Sequence, residues 1–399
     1  MAATIDSAGT IGDDLHASLR AAQAQGATAV DSVNGAVLVL RYDDIDRLTR
    51  DRRLAGVGLS LFDLMGIADG PLRDWYAGLM FTNEGDAHNR LRALVSRAFT
   101  PRSVDELRDD ARSLSADAVA AVQERGRADL IDLFGRIPIR VMCRLLGVPE
   151  ADVSVFGDWA DALSPTFGFM TPEQLADATA AITALLDYVH ELSDRRRQDP
   201  GDDLITALLA AEEDGQRLSR DELVSMVANL IVGGHDTTAS QLGCTLLTLL
   251  RHPDAVEQVR ADPTTVSSAA TETIRFEPSI SGIPRTTLEP VDIGETTVPP
   301  GALVLLMTAA ANREPSVWKD PDLLDLTRFT DPKAPKLLSF DAGPHYCLGA
   351  ALARLTVEEA VRAVAGGPDL TPAFDVTNVE WRSVLGRSPV SLPVTVSSN

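Results

Sequence analysis

Lysine is nearly missing from this chain. Only Lys319, Lys333 and Lys336 occur among 36 basic residues, which face 58 acids for a formal charge of −22. A general nucleic-acid binder needs a basic footprint and an electrostatic lipid binder a polybasic segment, so the balance speaks against both. Cysteine is scarce too. Cys143, Cys244 and Cys347 cannot build a disulfide framework, and no Cys-x-x-Cys pair suggests zinc. The expected compartment is therefore a reducing cytoplasm. Residues 1–10 have no basic n-region and no long apolar segment, so neither a signal peptide nor a membrane anchor is expected. Long Gly/Ser tracts, proline runs and blocks of like charge are missing as well, which leaves no linker and favours one domain over residues 1–399. What the chain does have is apolar material: 45% of its 399 residues are hydrophobic, enough for a large core.

The stretch Ser339 to Gly349 stands out. One cysteine, Cys347, lies between Gly343 and Gly349 and beside His345, and a helical run from Ala350 to Val364 follows. A helix dipole and free backbone N–H groups favour a thiolate at such a position. The glycines let the backbone approach the sulfur closely. A thiolate so placed is a nucleophile or a metal ligand; the alternative is a buried cysteine in a glycine-rich turn. The spacing Phe-x-x-Gly-x-His-x-Cys-x-Gly resembles the haem-binding loop of the cytochrome P-450 family, whose cysteine thiolate is the axial iron ligand.

Taken in order, the chain reads mainly as helix. Residues 11–30 and 42–50 are expected to be helical, with a short buried strand over 36–40 between them. Residues 54–81 carry five glycines (Gly56, Gly58, Gly66, Gly70, Gly78) among apolar residues that include Phe62 and Met80, and read as a long loop. Asp86 to Phe99 is a helix on which His88 and Arg92 share a face. Between Asn89 and Val104 lie four arginines, Arg90, Arg92, Arg97 and Arg102, and no acid. Helical signals continue over 103–125 and 130–146, ending at Gly147-Val148-Pro149. Residues 162–172 form a proline-bracketed apolar loop, followed by helices over 172–197 and 204–213. A Ser-x-x-Glu capping box at Ser219 and Glu222 opens a helix of roughly thirty residues, on the order of 45 Å, since no proline follows until Pro253. Its middle reads Gly233-Gly234-His235-Asp236-Thr237-Thr238, and Asn229, His235, Asp236 and Gln241 exclude a membrane span. The paired glycines alone would also suit close helix packing. Residues 291–306 alternate like a small sheet and 384–396 like a closing hairpin.

The resemblance to cytochrome P-450 covers nearly the whole chain, through the Cys347 loop, the Gly-Gly-x-Asp-Thr-Thr motif, the Glu272/Arg275/Arg328 set and the His88/Arg92 pair. It implies a mainly α fold with small β-sheets, a long central helix over the haem, one haem b, and a soluble bacterial monooxygenase. On that reading Cys347 is the iron ligand in a loop completed by Phe340 and Gly349. His88, Arg92, Arg285 and His345 hold the propionates. Gly233 opens an oxygen-binding groove, Asp236 and Thr237 relay protons, and Glu272, Arg275 and Arg328 support the loop. Residues 54–81 would close over the substrate, with 162–172 as a second lid element. Phe62, Met80, Phe169, Asn229, Val232, Gly233, Ile280, Ile283, Val384 and Leu385 are candidate pocket walls. Most are apolar, so an apolar small molecule is expected as the substrate beside O2.

Two positions depart from the family pattern. Asp341 stands where glycine is more usual, implying a stiffer loop, and Asn229 is polar where an apolar wall is common. His235 reads as packing or solvent-facing. Nothing in the 399 residues resembles a flavin or iron–sulfur domain, so electrons from NAD(P)H are expected through a separate reductase and ferredoxin. An acidic ferredoxin meeting so acidic a chain needs a local positive patch, for which Arg90, Arg97, Arg102 and Arg354 are the candidates. A haem-thiolate gas sensor and a peroxide-driven haem enzyme are the alternatives. The acid–alcohol pair Asp236-Thr237 speaks for dioxygen.

Overall fold

The long helix is present and runs from Arg220 to Arg251, 32 residues. Its start is the expected box: Ser219 Oγ accepts from Glu222 N–H at 3.1 Å, and Glu222 Oε2 accepts from Ser219 N–H at 2.8 Å. It stops at His252, which precedes Pro253 and has left helical geometry at φ −129°, ψ 67°. The computed structural model describes residues 3–6, 12–211, 215–383 and 386–396. By their contacts these form two compact units, one from residues 1–55, 111–135 and 239–399, the other from 56–110 and 136–238. The fold is mainly α with small sheets.

The first unit holds a six-stranded sheet. Edge to edge its strands are Ala3–Ile5, Thr28–Asp31, Val37–Val39, Leu303–Leu306, Ile283–Thr287 and Leu54–Ala55. Val37, Leu38 and Val39 pair in parallel with Val304, Leu305 and Leu306. Successive residues point to opposite faces, so two cores form. Val39, Val304 and Leu306 pack with Ile45 and Leu48 of the Tyr42–Leu48 helix on one side. Leu38 and Leu40 pack with Leu15 and Leu19 of the Leu15–Gln23 helix on the other. Each such fully buried side chain stabilises by about 1.5–3 kcal/mol.

The helix expected over 11–30 is shorter, because Thr28–Asp31 is a strand that pairs with both Ala3–Ile5 and Val37–Val39. The expected 384–396 hairpin is two separate things. Trp381–Ser383 pairs with Arg387–Pro389, while Pro393–Val396 joins Leu370–Pro372 and Arg127–Asp129 in another sheet. Val384 and Leu385 lie outside the described residues.

Glu272, on the Val266–Phe276 helix, is fully buried and fully engaged. Arg275 donates to it twice at 2.7 Å, Arg328 Nε reaches both oxygens at 3.2 Å, and Asp325 N–H adds 3.0 Å. Arg275 also spans to the carbonyls of Asn312 and Pro321, each at 2.9 Å. The set thus ties the helix to the chain leading into the cysteine loop. Removing Glu272 would leave two buried guanidinium groups without their carboxylate, a loss of about 3–5 kcal/mol.

The 54–81 stretch, which enters the second unit at Gly56, is more ordered than its glycines suggest. It contains helices Ser60–Leu64 and Pro71–Ala77 and a 3₁₀ turn Met80–Thr82. Gly70, at φ +107°, makes the turn that lets Pro71 open a helix. The 162–172 stretch likewise holds the end of the Val153–Leu163 helix and a 3₁₀ turn Ser164–Phe167. The helix expected over 103–125 is broken into Pro101–Asp105 and Arg108–Arg125.

Candidate active site

In the first unit the sequence around Cys347 makes a tight loop. Cys347 N–H donates to the Phe340 carbonyl at 2.8 Å, and its own carbonyl accepts from Ala350 N–H at 3.3 Å as the Ala350–Gly366 helix begins. Gly343, at φ +68°, cannot be replaced cheaply: a Cβ there would meet Thr49 O at 2.8 Å. Gly349 is different, for a Cβ on it would meet nothing within 4 Å. Arg354 stacks over the Phe340 ring at 4.5 Å and donates to the Tyr346 hydroxyl at 3.2 Å, bracing the loop from the helix side.

Of the three cysteines only Cys347 is exposed. Burial pushes the thiols of Cys143 and Cys244 up to about 12, which leaves them inert. Arg285, on the strand Ile283–Thr287, donates through Nη2 to Asp341 Oδ2, and both side chains are buried. Asp341 has a positive φ of 62°, a conformation glycine adopts freely and aspartate at a cost of roughly 1 kcal/mol.

In the second unit the long helix is buried along residues 223–238 except for Ser225, Asn229, Gly233 and Thr237, each four apart, and the adjoining Leu230 and Gly234. One narrow stripe is thus uncovered. The two glycines do different work. A Cβ at Gly234 would meet Met142 Cε at 2.6 Å, so this glycine gives room to the end of the Met142 side chain from the Ile137–Leu146 helix. At Gly233 a Cβ would meet only Asn229 Oδ1 at 3.9 Å, so packing within the chain does not require glycine there. Thr237 Oγ1 donates back to the Gly233 carbonyl at 2.7 Å. Asp236 is buried beside it.

His235 is neither solvent-facing nor simple packing. It is buried, with Nε2 2.9 Å from Asp161 Oδ1, and Asp161 also accepts from Arg136 at 3.2 Å. On the Gly85–Ala98 helix His88 is buried and Arg92 half-buried.

Among the pocket candidates Phe62 and Met80 are buried, and Phe62 stacks on Tyr76 at 4.6 Å. Tyr76 in turn meets Phe81 and Phe167, each at 5.8 Å, and burial pushes its phenol up to about 12. Phe169 is 74% exposed, so Phe167 and not Phe169 joins the 59–81 segment. Tyr76 was not singled out from the sequence; its position on the short, amphipathic Pro71–Ala77 helix was the available signal. Val232 is buried and Asn229 lies on the open stripe. Ile280 and Ile283 belong to the first unit and are partly buried.

The family model described as cytochrome P-450 matches residues 161–363. Cytochrome P-450 107B1 of Saccharopolyspora erythraea is 38% identical over 378 residues, covering 92% of this chain and 91% of that one. The chain belongs to the cytochrome P-450 family. The 6-deoxyerythronolide B hydroxylase of the same organism is 35% identical over 369 residues, 90% of this chain and 89% of that protein. The crystal structure of CalO2 superposes with a TM-score of 0.91 at 28% identity, over 100% of this chain and 99% of that one.

As a cytochrome P-450 the protein is a bacterial-type oxygenase that uses haem b. The residues present fit that group. One exposed thiol stands next to a glycine with open space over it in the first unit, and in the second a helix bares a glycine that packing does not require. No helix among the described residues is long and apolar enough to cross a membrane.

Proposed function

We propose that this cytochrome P-450 inserts one atom of O2 into an apolar small molecule, as a single-domain cytoplasmic monooxygenase fed by NAD(P)H through a reductase and a ferredoxin. The observation that carries the reading is Cys347, the one exposed thiol, held by the Phe340 carbonyl at the start of a helix. When bound, a thiolate-ligated haem supplies the oxidant for C–H hydroxylation or epoxidation. The overall balance is substrate, O2, two electrons and two protons giving oxygenated substrate and water.

The chain's part is binding and protons. His88, Arg92, Arg285 and His345 are the propionate partners in this reading: guanidinium groups pair with carboxylates, and an imidazole N–H can donate to them. Thr237 presents a hydroxyl that donates to Gly233 O at 2.7 Å and can also accept, which holds a proton at a fixed place on the open stripe. Asp236 follows it as the group that exchanges protons with water. Phe62, Met80 and Val232 in the second unit and Ile280 and Ile283 in the first are the proposed apolar walls, while Asn229 offers one polar anchor. A relative named 6-deoxyerythronolide B hydroxylase supports hydroxylation as the reaction.

The test is the absorption spectrum of the reduced protein under carbon monoxide. A strongly red-shifted Soret band is expected, and a band at the position typical of histidine-ligated haem would sink the reading.

Electron delivery gives a second expectation. Arg90 is held by Glu222, and Arg102 pairs with Glu106 at 2.9 Å, the arginine 88% exposed. An exposed i,i+4 pair is worth only about 0.3–0.5 kcal/mol, so a partner's carboxylate can displace Glu106. In the first unit Arg354 lines a surface groove with Arg50 and Lys336 beside Tyr346. Arg97→Glu or Arg102→Glu is expected to slow reduction by an acidic ferredoxin about tenfold at low salt, converging with the parent at high salt. Substrate affinity and haem content stay unchanged. Stopped-flow reduction across a salt series checks this, and equal low-salt rates would remove both arginines from docking.

A further inference from the structure

Asp341 holds a conformation that favours glycine and then buries a charge. Among the described residues only Asp320 shares a positive φ without being glycine. Both carboxylate oxygens of Asp341 are engaged: Oδ1 accepts from Ala342 N–H at 2.7 Å, and Oδ2 accepts from Arg285 Nη2. The two side chains are 10% and 9% exposed. Arg285 also donates through Nη1 to the Pro284 carbonyl at 3.0 Å, so its guanidinium is oriented from two sides. Glycine would make the same turn without strain and without the charge. Beyond the one bond to Ala342 N–H, which an uncharged amide could also accept, the consequence of aspartate here is the guanidinium it grips.

We propose that Asp341 is a positioning residue that fixes Arg285 and neutralises it, so that a haem propionate meets an arginine already paired. The proposal rests on the assignment of Arg285 to a propionate. Its consequence is electrostatic. A net negative charge beside the haem opposes the arrival of an electron, because reduction adds charge of the same sign in a medium where screening is weak. Asp341 would hold the haem at a lower reduction potential than glycine or asparagine at that position.

Two variants separate charge from shape. Asp341→Asn keeps the side-chain outline, an oxygen for Ala342 N–H and a tolerance for positive φ, but carries no charge. Asp341→Gly removes the side chain and relieves the backbone. Spectroelectrochemistry of the substrate-free holoprotein is expected to show the reduction equilibrium shifted towards the ferrous form by roughly threefold to tenfold in both, tenfold being 59 mV for one electron.

Transfer of haem from Arg285→Gln to apomyoglobin tests the underlying assignment separately, and faster loss than from the parent is expected. If that variant keeps its haem as the parent does, the assignment of Arg285 fails and the proposal with it. If it loses haem faster while both Asp341 variants keep the parent potential, the assignment stands and the role of Asp341 is overturned. A shift in Asp341→Gly with none in Asp341→Asn would also overturn it, since backbone shape and not charge would then be responsible.

Discussion

Cys347→His is expected to yield a protein that retains part of its haem, lacks the red-shifted carbonyl band and turns over more than about a hundredfold more slowly. Loss of groups that merely support a metal ligand costs 10–100-fold, and loss of the ligand itself should exceed that. An imidazole can bind iron but donates far less electron density than a thiolate, which is what favours O–O cleavage. No other cysteine can substitute. Cys143 and Cys244 are fully buried, and their thiols titrate only near 12, so neither offers a thiolate at neutral pH. The loop itself should survive the change, since the Phe340 and Ala350 backbone bonds and the Arg354 stack do not involve the Cys347 side chain. Carbonyl spectra and product formation on the purified variant check the expectation. Parent-like turnover would show that Cys347 is not the ligand.

The features that were legible in the sequence are those written by neighbours along the chain. The long helix announced its start through Ser219 and Glu222 and its end through Pro253, and the structure places both there. What was not legible depends on residues far away. Thr28–Asp31 is a strand through its pairing with the distant Ala3–Ile5 and, across Asn34-Gly35, with the nearby Val37–Val39; nothing in Thr28-Ala29-Val30-Asp31 names the first of these partners. Pro393–Val396 leaves the expected hairpin because Arg127–Asp129 pairs with it from the first third of the chain.

The 54–81 stretch misled for another reason. Its glycines break helices into pieces too short to display a period, and the burial of Phe62, Trp75 and Tyr76 decides the fold there. The candidate site divides in the same way. Gly233 and Gly234 are the same letter, yet only the approach of Met142 distinguishes a packing glycine from one that bares the helix. His235 had no visible purpose because Asp161, its partner, lies 74 residues earlier. Asp341 was visible as a departure from the family pattern, but its bond to Arg285 was not.

Thr237→Ala is expected to leave NAD(P)H consumption nearly unchanged while product per NAD(P)H falls about tenfold and hydrogen peroxide appears instead. The hydroxyl that holds a proton over Gly233 is gone, and water replaces it only loosely; a positioned proton-transfer group contributes 10²–10⁴-fold, of which a mobile water recovers part. Asp236→Asn should behave differently. Its amide keeps the shape but cannot take a proton from water, so consumption and product fall together, by about 10–100-fold. The contrast matters, because a variant that only damaged the helix would lower both quantities in either case. Stability argues the same way. Thr237 is a β-branched residue in mid-helix whose hydroxyl already bonds to the i−4 carbonyl at 2.7 Å, and alanine is the better helix former by roughly 0.5 kcal/mol. Thr237→Ala should therefore melt no lower than the parent, which leaves lost coupling without an unfolding explanation. Product and peroxide per NAD(P)H, measured with one ferredoxin system for the parent and both variants, decide between the roles. Parent-like coupling in Thr237→Ala together with parent-like rates in Asp236→Asn would reduce the motif to a shape on the helix.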